Sequence, residues 1–97
     1  MQPRIDKMLE VKLFAGRASE YLAEKIADYY QQPLGKLKIH QFSDGEMQPV
    51  IQESVRGGYV FFIQSTFTPA ENMMELLLMI DAAKRASAGY ILALIHV

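Results

Sequence analysis

Two short segments of this sequence combine residue types that could bind a nucleotide or a phosphate. In the first, Phe42–Glu46, an aromatic ring and two carboxylates surround a flexible turn. Stacking of a nucleobase on an aromatic ring is worth about 1–3 kcal/mol, and carboxylates accept hydrogen bonds from exocyclic amines and ribose hydroxyls. The alternative is a plain hairpin turn, signalled by Asp44-Gly45, with the Phe42 ring pointing inward. The residues alone leave both interpretations open.

The second segment runs from Ser54 to Gly58 and reads SVRGG. It offers a hydroxyl, the guanidinium of Arg56 and backbone amides that would be free in a loop. Such groups together can hold a phosphate or a sulfate. The alternative is a turn between two strands with a solvated arginine.

Several other chemistries lack the residues that they need. The chain has no cysteine, which excludes disulfides, thiolate metal sites and cysteine nucleophiles. Gly16 is followed by neither a dinucleotide-binding nor a P-loop pattern. His40 and His96 have no companions at metal-ligand spacing, so a structural role is expected for both. No catalytic residue and no metal ligand is assigned from the sequence.

The composition is that of one ordinary globular domain. The 97 residues are 51% hydrophobic and 22% charged, with a formal net charge of −1. This balance gives no field that would attract nucleic acid or anionic lipid. No apolar run approaches the roughly 20 residues that cross a bilayer, and the first ten residues form neither a signal peptide nor an anchor. We therefore expect a cytoplasmic protein without nucleic-acid or membrane partners.

The elements that would position these segments begin with a strand and a helix. Val11–Phe14 predicts a short strand closed by Gly16. A helix is expected from Ser19, acting as its N-cap, until Pro33 ends it. Its core-facing stripe is predicted from five residues at helical spacing: Leu22, Ala23, Ile26, Ala27 and Tyr29.

A hairpin and a central strand follow. Leu37–Phe42 and Met47–Ile51 are predicted to pair through the Asp-Gly turn. Pro49 cannot donate a ladder hydrogen bond, so its strand is expected at a sheet edge. Tyr59–Ile63 is a continuous apolar run, which is typical of a central strand.

The second helix has a clear predicted start. Thr68 and Glu71 stand at capping-box spacing with Pro69 between them, and Gly89 is the expected C-terminal stop. One face is predicted to carry Met73, Leu76, Leu77 and Ile80, and the apolar surface spreads further through Met74, Leu78 and Met79. This excess indicates burial on two sides, by the sheet and by something else.

The order of elements predicts an α/β fold: a mostly parallel sheet with flanking helices and a β-hairpin. Residues 1–10 are expected to be a lead-in and residues 11–97 one domain. Tyr90–Ile95 is the last predicted strand, and no helix follows to cover it, so the fold is expected to be incomplete. An exposed final strand and uncovered apolar helix surface predict self-association.

Five segments occur in the order and spacing seen in ribose-phosphate pyrophosphokinases, the PRPP synthetases. They read KLFAGRAS, FSDGE, ESVRG, VFFIQST and NMMELLLMIDAAKRASAG. From Val11 to about Ile91 the chain resembles the N-terminal part of that family. The resemblance implies a partial phosphoribosyltransferase-like fold. It also implies a kinase that transfers pyrophosphate from ATP to ribose 5-phosphate with Mg²⁺, giving PRPP and AMP.

The resemblance also implies roles for both segments. The expected ATP-binding residues are Phe42 against the adenine, with Asp44, Gly45 and Glu46. In the family this loop reaches into the active site of a neighbouring subunit, which implies a homo-oligomer. Ser54 and Arg56 match positions of a regulatory phosphate or ADP site between subunits.

The end of the sequence departs from the family. Residues 91–97 read ILALIHV, whereas the family continues with a stretch containing Tyr, Arg and Gln that adds ATP contacts. The family's metal-associated histidine, basic loop and acidic ribose-phosphate loop lie further on. Ligands for Mg²⁺ are therefore expected to be absent, and the chain alone is expected to be inactive. The alternatives are a noncatalytic regulatory or oligomerisation partner of a PRPP synthetase, or a remodelled domain without nucleotide function.

Overall fold

The computed structural model describes residues 11–67 and 70–96. In chain order its elements are β1 (Val11–Ala15), a 3-10 helix (Arg17–Ser19), α1 (Glu20–Tyr29), β2 (Leu37–Gln41), β3 (Met47–Ile51), β4 (Tyr59–Ser65), α2 (Glu71–Arg85) and β5 (Tyr90–His96). None of the described helices is both long enough and apolar enough to span a membrane. The predicted lead-in and the predicted capping residues Thr68 and Pro69 lie outside the described residues.

A three-stranded parallel sheet forms the centre of the fold. Its strand order is β1-β4-β5, with Phe14 opposite Phe62 and Phe62 opposite Ala93. The apolar run that predicted a central strand is β4, which continues to Ser65. The predicted parallel α/β arrangement is confirmed.

The hairpin forms a sheet of its own. β2 and β3 pair antiparallel, and each strand has the other as its neighbour in this two-stranded sheet. Pro49 lies opposite Ile39, on a strand with a free edge, as its missing N–H predicts. The hairpin therefore needs tertiary contacts to be stable, because an isolated two-stranded hairpin is marginal in water.

The core lies between the parallel sheet and α2. The Phe14 and Phe62 rings lie 5.7 Å apart between centroids. They pack in one cluster of buried side chains with Leu76, Met79 and Val55. Full burial of such a side chain stabilises the fold by about 1.5–3 kcal/mol.

The buried face of α1 is narrower than its apolar stripe. Ala23 and Ala27 are buried, whereas Leu22 and Ile26 are half-buried. Tyr29 is 82% exposed, so its predicted core position is wrong. The burial is centred on the two alanines because small side chains allow the helix to approach β1 closely.

The buried face of α2 is rotated from the predicted one. Leu76 is buried as predicted, but Met73 and Leu77 are 42% and 52% exposed, so their predicted positions are wrong. Glu75 and Met79 face inward instead. Besides the sheet, α2 contacts β3, which covers part of the further apolar surface, while Met74 remains 52% exposed.

Ser19 directly precedes α1, but its side chain does not cap the helix. Its Oγ accepts a hydrogen bond of 2.7 Å from the backbone N–H of Ser65. The predicted N-cap role is therefore wrong, because the hydroxyl ties the 3-10 helix to the end of β4.

Both helices end on a left-handed residue that is not glycine. Gln31 has φ +55° and Ser87 has φ +68°. In α2 the N–H of Ala88 donates to Ala83 O at 3.1 Å, which is the six-to-one bond of a Schellman ending. The predicted stop at Gly89 is wrong. A Cβ on Gly89 would lie 2.7 Å from Gly57 O, so this glycine allows two backbones to approach.

These two positions should respond in opposite ways to substitution. We expect Ser87→Gly to raise the free energy of unfolding by about 0.5–1 kcal/mol, since glycine adopts positive φ without a steric penalty. Gly89→Ala should lower it by about 1–3 kcal/mol through the clash with the Gly57 carbonyl. Urea unfolding measures both, and a stabilising Gly89→Ala would contradict this description.

An ion pair links β1 to the segment after β3. Lys12 Nζ lies 2.6 Å from Glu53 Oε1, and the backbone N–H of Lys36 donates to the other oxygen of Glu53. The hydrogen bond from Lys12 is the main reason that the pKa of Glu53 lies below its ordinary value of 4.5, and the hydrogen bond from the Lys36 backbone lowers it further. A carboxyl with a lowered folded-state pKa stabilises the fold above its unfolded pKa and loses that effect as the pH falls.

We therefore expect Glu53→Gln to lower the free energy of unfolding at pH 7 by about 0.5–1 kcal/mol. The difference from wild type should shrink as the pH falls below about 4.5 and the wild-type carboxyl is protonated. Urea unfolding at pH 7 and pH 3 measures this. An equal difference at both pH values would show that the charge of Glu53 contributes nothing.

Candidate functional site

The tip of the hairpin is a compact loop closed by its own backbone. The N–H of Phe42 donates to Glu46 O at 2.8 Å, and the N–H of Gly45 donates to Phe42 O at 3.0 Å. Gly45 has φ +96°, a conformation that favours glycine in a three-residue hairpin loop. The Asp-Gly turn predicted from the sequence is confirmed.

The two carboxylates of the loop lie on its surface. Asp44 and Glu46 are both exposed. Asp44 Oδ1 accepts a hydrogen bond of 3.1 Å from the N–H of Glu46, an Asx turn that fixes the direction of its side chain. The loop therefore presents two negative groups at its surface, and the direction of one of them, Asp44, is fixed.

The Phe42 ring is not part of the core. Its side chain is 48% exposed, so the alternative of an inward-pointing phenylalanine is wrong. The ring borders an open cavity of about 530 Å³ between the hairpin and α2. The cavity is lined by Phe42, Gly45, Glu46, Met47, Gln48, Met74 and Leu78. A planar ligand can reach a ring in this position.

A buried carboxylate lies where the parallel strands end. Glu75 on α2 is 2% exposed. Its Oε1 accepts from Arg17 Nε at 2.8 Å, and its Oε2 accepts from the Arg17 backbone N–H at 2.6 Å. Gln64 Nε2, from β4, lies 3.3 Å from Glu75 Oε2. The carboxyl ends of parallel strands are where ligands of open α/β sheets usually bind.

This carboxylate is connected to the hairpin tip. Arg17 Nη2 donates to Gln41 Oε1 at 3.0 Å. Gln41 Nε2 in turn lies 3.0 Å from the carbonyl oxygens of both Gly45 and Glu46. Sequence reasoning did not single out Arg17, Gln41 or Glu75. The available signal was one acid inside the apolar run MMELLLM, because a charge on a core-facing helix position needs a partner.

The second predicted segment lies before β4. Ser54 and Arg56 are exposed, and Arg56 forms an isolated antiparallel bridge with Ala88. The N–H of Gly57 donates to Ser87 O at 2.9 Å, and the N–H of Gly58 donates to Val55 O at 3.1 Å. The expectation of free amides is therefore wrong for these two glycines. What remains available here is a hydroxyl and a guanidinium.

The two segments lie at opposite ends of the parallel sheet. The hairpin tip is linked to the carboxyl ends of the strands through Arg17, whereas Arg56 stands at the amino ends of β4 and β5. The seven residues of β4 separate these ends by about 20 Å. The structure brings Phe42, Asp44, Gly45 and Glu46 together on one loop and places Ser54 and Arg56 at the other end of the sheet.

Metal ligands are not clustered in the described part of the chain. Over residues 11–67 and 70–96, no group of three or more His, Cys, Asp or Glu side chains could hold a metal ion. Asp44 and Glu46 form a pair without a third ligand.

Comparison with known proteins identifies the family. Residues 11–97 match the N-terminal domain of ribose phosphate pyrophosphokinase. The ribose-phosphate pyrophosphokinase of Porphyromonas gingivalis is 57% identical over 83 residues, 86% of this chain and 26% of that protein. The one from Vibrio parahaemolyticus is 53% identical over 89 residues, 91% of this chain and 28% of that protein. This chain thus spans little more than a quarter of the length of these relatives.

A solved structure agrees with the sequence comparisons. The crystal structure of phosphoribosylpyrophosphate synthetase from Mycobacterium smegmatis superposes with a TM-score of 0.83 at 40% identity, over 88% of this chain and 29% of that chain. The predicted phosphoribosyltransferase-like partial fold is confirmed by this match and by the parallel sheet. Its sequence and its fold both place the chain in the ribose-phosphate pyrophosphokinase family, as part of that family's N-terminal domain.

Proposed function

We propose that this chain supplies the nucleotide-binding loop of a ribose-phosphate diphosphokinase. In the proposed reaction the pyrophosphoryl group of ATP moves to the 1-hydroxyl of ribose 5-phosphate, which gives PRPP and AMP. The observation that carries the proposal is the half-exposed Phe42 ring beside two exposed carboxylates on a closed loop.

Each side chain of the loop has a proposed role in binding ATP. Phe42 stacks on the adenine, while Asp44 and Glu46 accept hydrogen bonds from the exocyclic amine or the ribose hydroxyls. Gly45 holds the turn and adds no side chain that would obstruct the ligand. These contacts bind and orient ATP, which contributes to phosphoryl transfer because that chemistry depends mainly on positioning and charge neutralisation.

The remaining parts of the catalytic site are proposed to come from other portions of the enzyme. The chain corresponds to about a quarter of the length of its relatives. We assign it no catalytic residue and no Mg²⁺ ligand, and we expect these 97 residues alone not to form PRPP. When bound, Mg²⁺ would neutralise charge on the phosphates of ATP.

The loop is proposed to act in a homo-oligomer, by reaching into the site of an adjacent subunit. Exposed apolar residues support an interface close to it. Met73, Met74 and Leu77 on α2 are each between 42% and 52% exposed. Apolar surface of this kind beside a loop that projects its functional groups outward suits burial against a second copy. A cytoplasmic location is part of this proposal.

Ser54 and Arg56 are proposed to form a regulatory phosphate site. The guanidinium offers a bidentate contact to phosphate and the hydroxyl a further donor. Arg56 has no ion-pair partner among the described residues, which leaves its donors available for an anion. The site is proposed to be separate from the nucleotide loop, at the other end of the sheet.

Phe42→Leu should weaken ATP binding while leaving the fold intact. Loss of stacking is expected to reduce affinity by about 1–3 kcal/mol, or about 5- to 150-fold. Titration of ATP into the ¹⁵N-labelled chain, followed by NMR shifts of residues 42–46, measures this. Phe67→Leu is the matched control, since Phe67 is also exposed but lies outside the loop. Equal ATP affinity of the two variants would contradict the proposal.

Arg56→Gln should weaken binding of inorganic phosphate and leave ATP-dependent shifts at residues 42–46 unchanged. The loss of one charge-assisted contact is expected to cost about 1.5–3 kcal/mol of binding free energy. Arg85→Gln is the control, because Arg85 is exposed and pairs with Asp81 on the same helix. Calorimetric titration with phosphate measures the effect. Retention of full phosphate affinity by Arg56→Gln would refute the regulatory assignment.

A further inference from the structure

The conformation of the hairpin tip depends on more than its own hydrogen bonds. The hairpin pairs with no strand of the parallel sheet, and its tip is exposed. A two-stranded hairpin is marginal in isolation and its tip is the most mobile part. A loop that binds a ligand with three side chains must nevertheless hold their geometry. The loop therefore needs an anchor, meaning a series of hydrogen bonds that connects its tip to the body of the fold.

The anchor begins at the buried Glu75. Both of its oxygens accept from Arg17, one from the side-chain Nε and one from the backbone N–H. The backbone bond holds the Glu75 carboxylate, and the Nε bond places the guanidinium, whose donors form a rigid planar fork. Nη2 is thereby directed away from Glu75 toward Gln41, whose Oε1 it reaches at 3.0 Å.

The amide of Gln41 can satisfy its neighbours in one orientation only. With Oε1 accepting from Arg17, Nε2 donates to the carbonyls of Gly45 and Glu46. The inverted amide would set its NH₂ against an arginine donor and its oxygen against two carbonyl oxygens. Arg17 therefore determines the direction in which Gln41 donates. The two carbonyls that it holds belong to the residues directly after Asp44.

We propose that Arg17 and Gln41 are positioning residues, which hold the nucleotide-binding loop in its binding conformation by linking it to Glu75. This inference rests on the proposed function for its purpose, although the link itself is a property of the free chain. Neither residue touches the nucleotide in this account. They act through the backbone of Gly45 and Glu46, and so on the placement of the Phe42 ring and the two carboxylates.

Gln41→Met tests the link without endangering the fold, because Gln41 is exposed and methionine has a similar length. Loss of the two hydrogen bonds to the loop carbonyls should speed amide exchange at Phe42 and Gly45 by about 5- to 150-fold. The free energy of unfolding should fall by no more than the free energy of the same hydrogen bonds, so the chain stays folded. Gln52→Met is the matched control, an exposed glutamine on the segment after β3, and should leave exchange at both amides as in wild type.

Arg17→Lys is the second variant. Lysine keeps the positive charge for Glu75 but lacks the fork that reaches Gln41 at the same time. We expect it to reproduce the faster exchange of Gln41→Met, and the double variant to be no faster than the faster single variant. The link would be overturned if the increase in exchange rate in the double variant equalled the product of the increases in the two single variants. Unchanged exchange rates in Gln41→Met would overturn it as well.

Titration of the same variants with ATP separates this inference from the proposed function. Gln41→Met should bind ATP about five-fold more weakly than wild type, although it keeps every proposed ligand contact. If wild type binds ATP and Gln41→Met binds it equally well, the positioning role is wrong. If wild type shows no response to ATP, the proposed function fails, and the exchange rates still decide whether Arg17 and Gln41 hold the loop.

Discussion

The described structure depends on one buried charge. Glu75 lies on the core-facing side of α2, where a carboxylate without partners would be strongly destabilising. Arg17 satisfies both of its oxygens, and Gln64 adds an amide from the central strand. A Cβ at Gly16 would lie 2.2 Å from Gln64 Oε1, so a side chain there would displace the amide that donates to Glu75. One carboxylate thus fixes the end of β1, the end of β4 and the rotation of the helix above them.

The candidate site follows from that constraint. Arg17 is held by Glu75 and extends toward solvent with its side chain 44% exposed. Its Nη2 donates to the side chain of Gln41, which is the last residue of β2 and directly precedes the loop. Binding groups on a loop need a rigid support, and here the support is the carboxyl edge of the parallel sheet. The proposed nucleotide site and the core therefore share one polar connection.

The sequence patterns correctly predicted those features of the fold that depend on interactions between residues close together in the chain. The Asp-Gly turn, the parallel α/β order and the edge position of Pro49 all follow from backbone preferences and apolar periodicity. The failures share a tertiary cause. Periodicity placed Leu77 in the core because it treats every acid as exposed, whereas Glu75 faces inward to meet Arg17. The roles of Ser19 and Gly89 were likewise decided by distant backbone, the N–H of Ser65 and the carbonyl of Gly57, and neither is visible in a local window.

The most direct test of this account is the coupling between Arg17 and Glu75, measured by urea unfolding of Arg17→Met, Glu75→Gln and the double variant. Arg17→Met leaves a buried carboxylate with fewer partners, so the single changes should be costly and the double change less than their sum. We predict a coupling free energy of about 1–3 kcal/mol. Additive effects within about 0.5 kcal/mol would mean that the two residues do not act as a pair, and the buried charge could not be what organises the site.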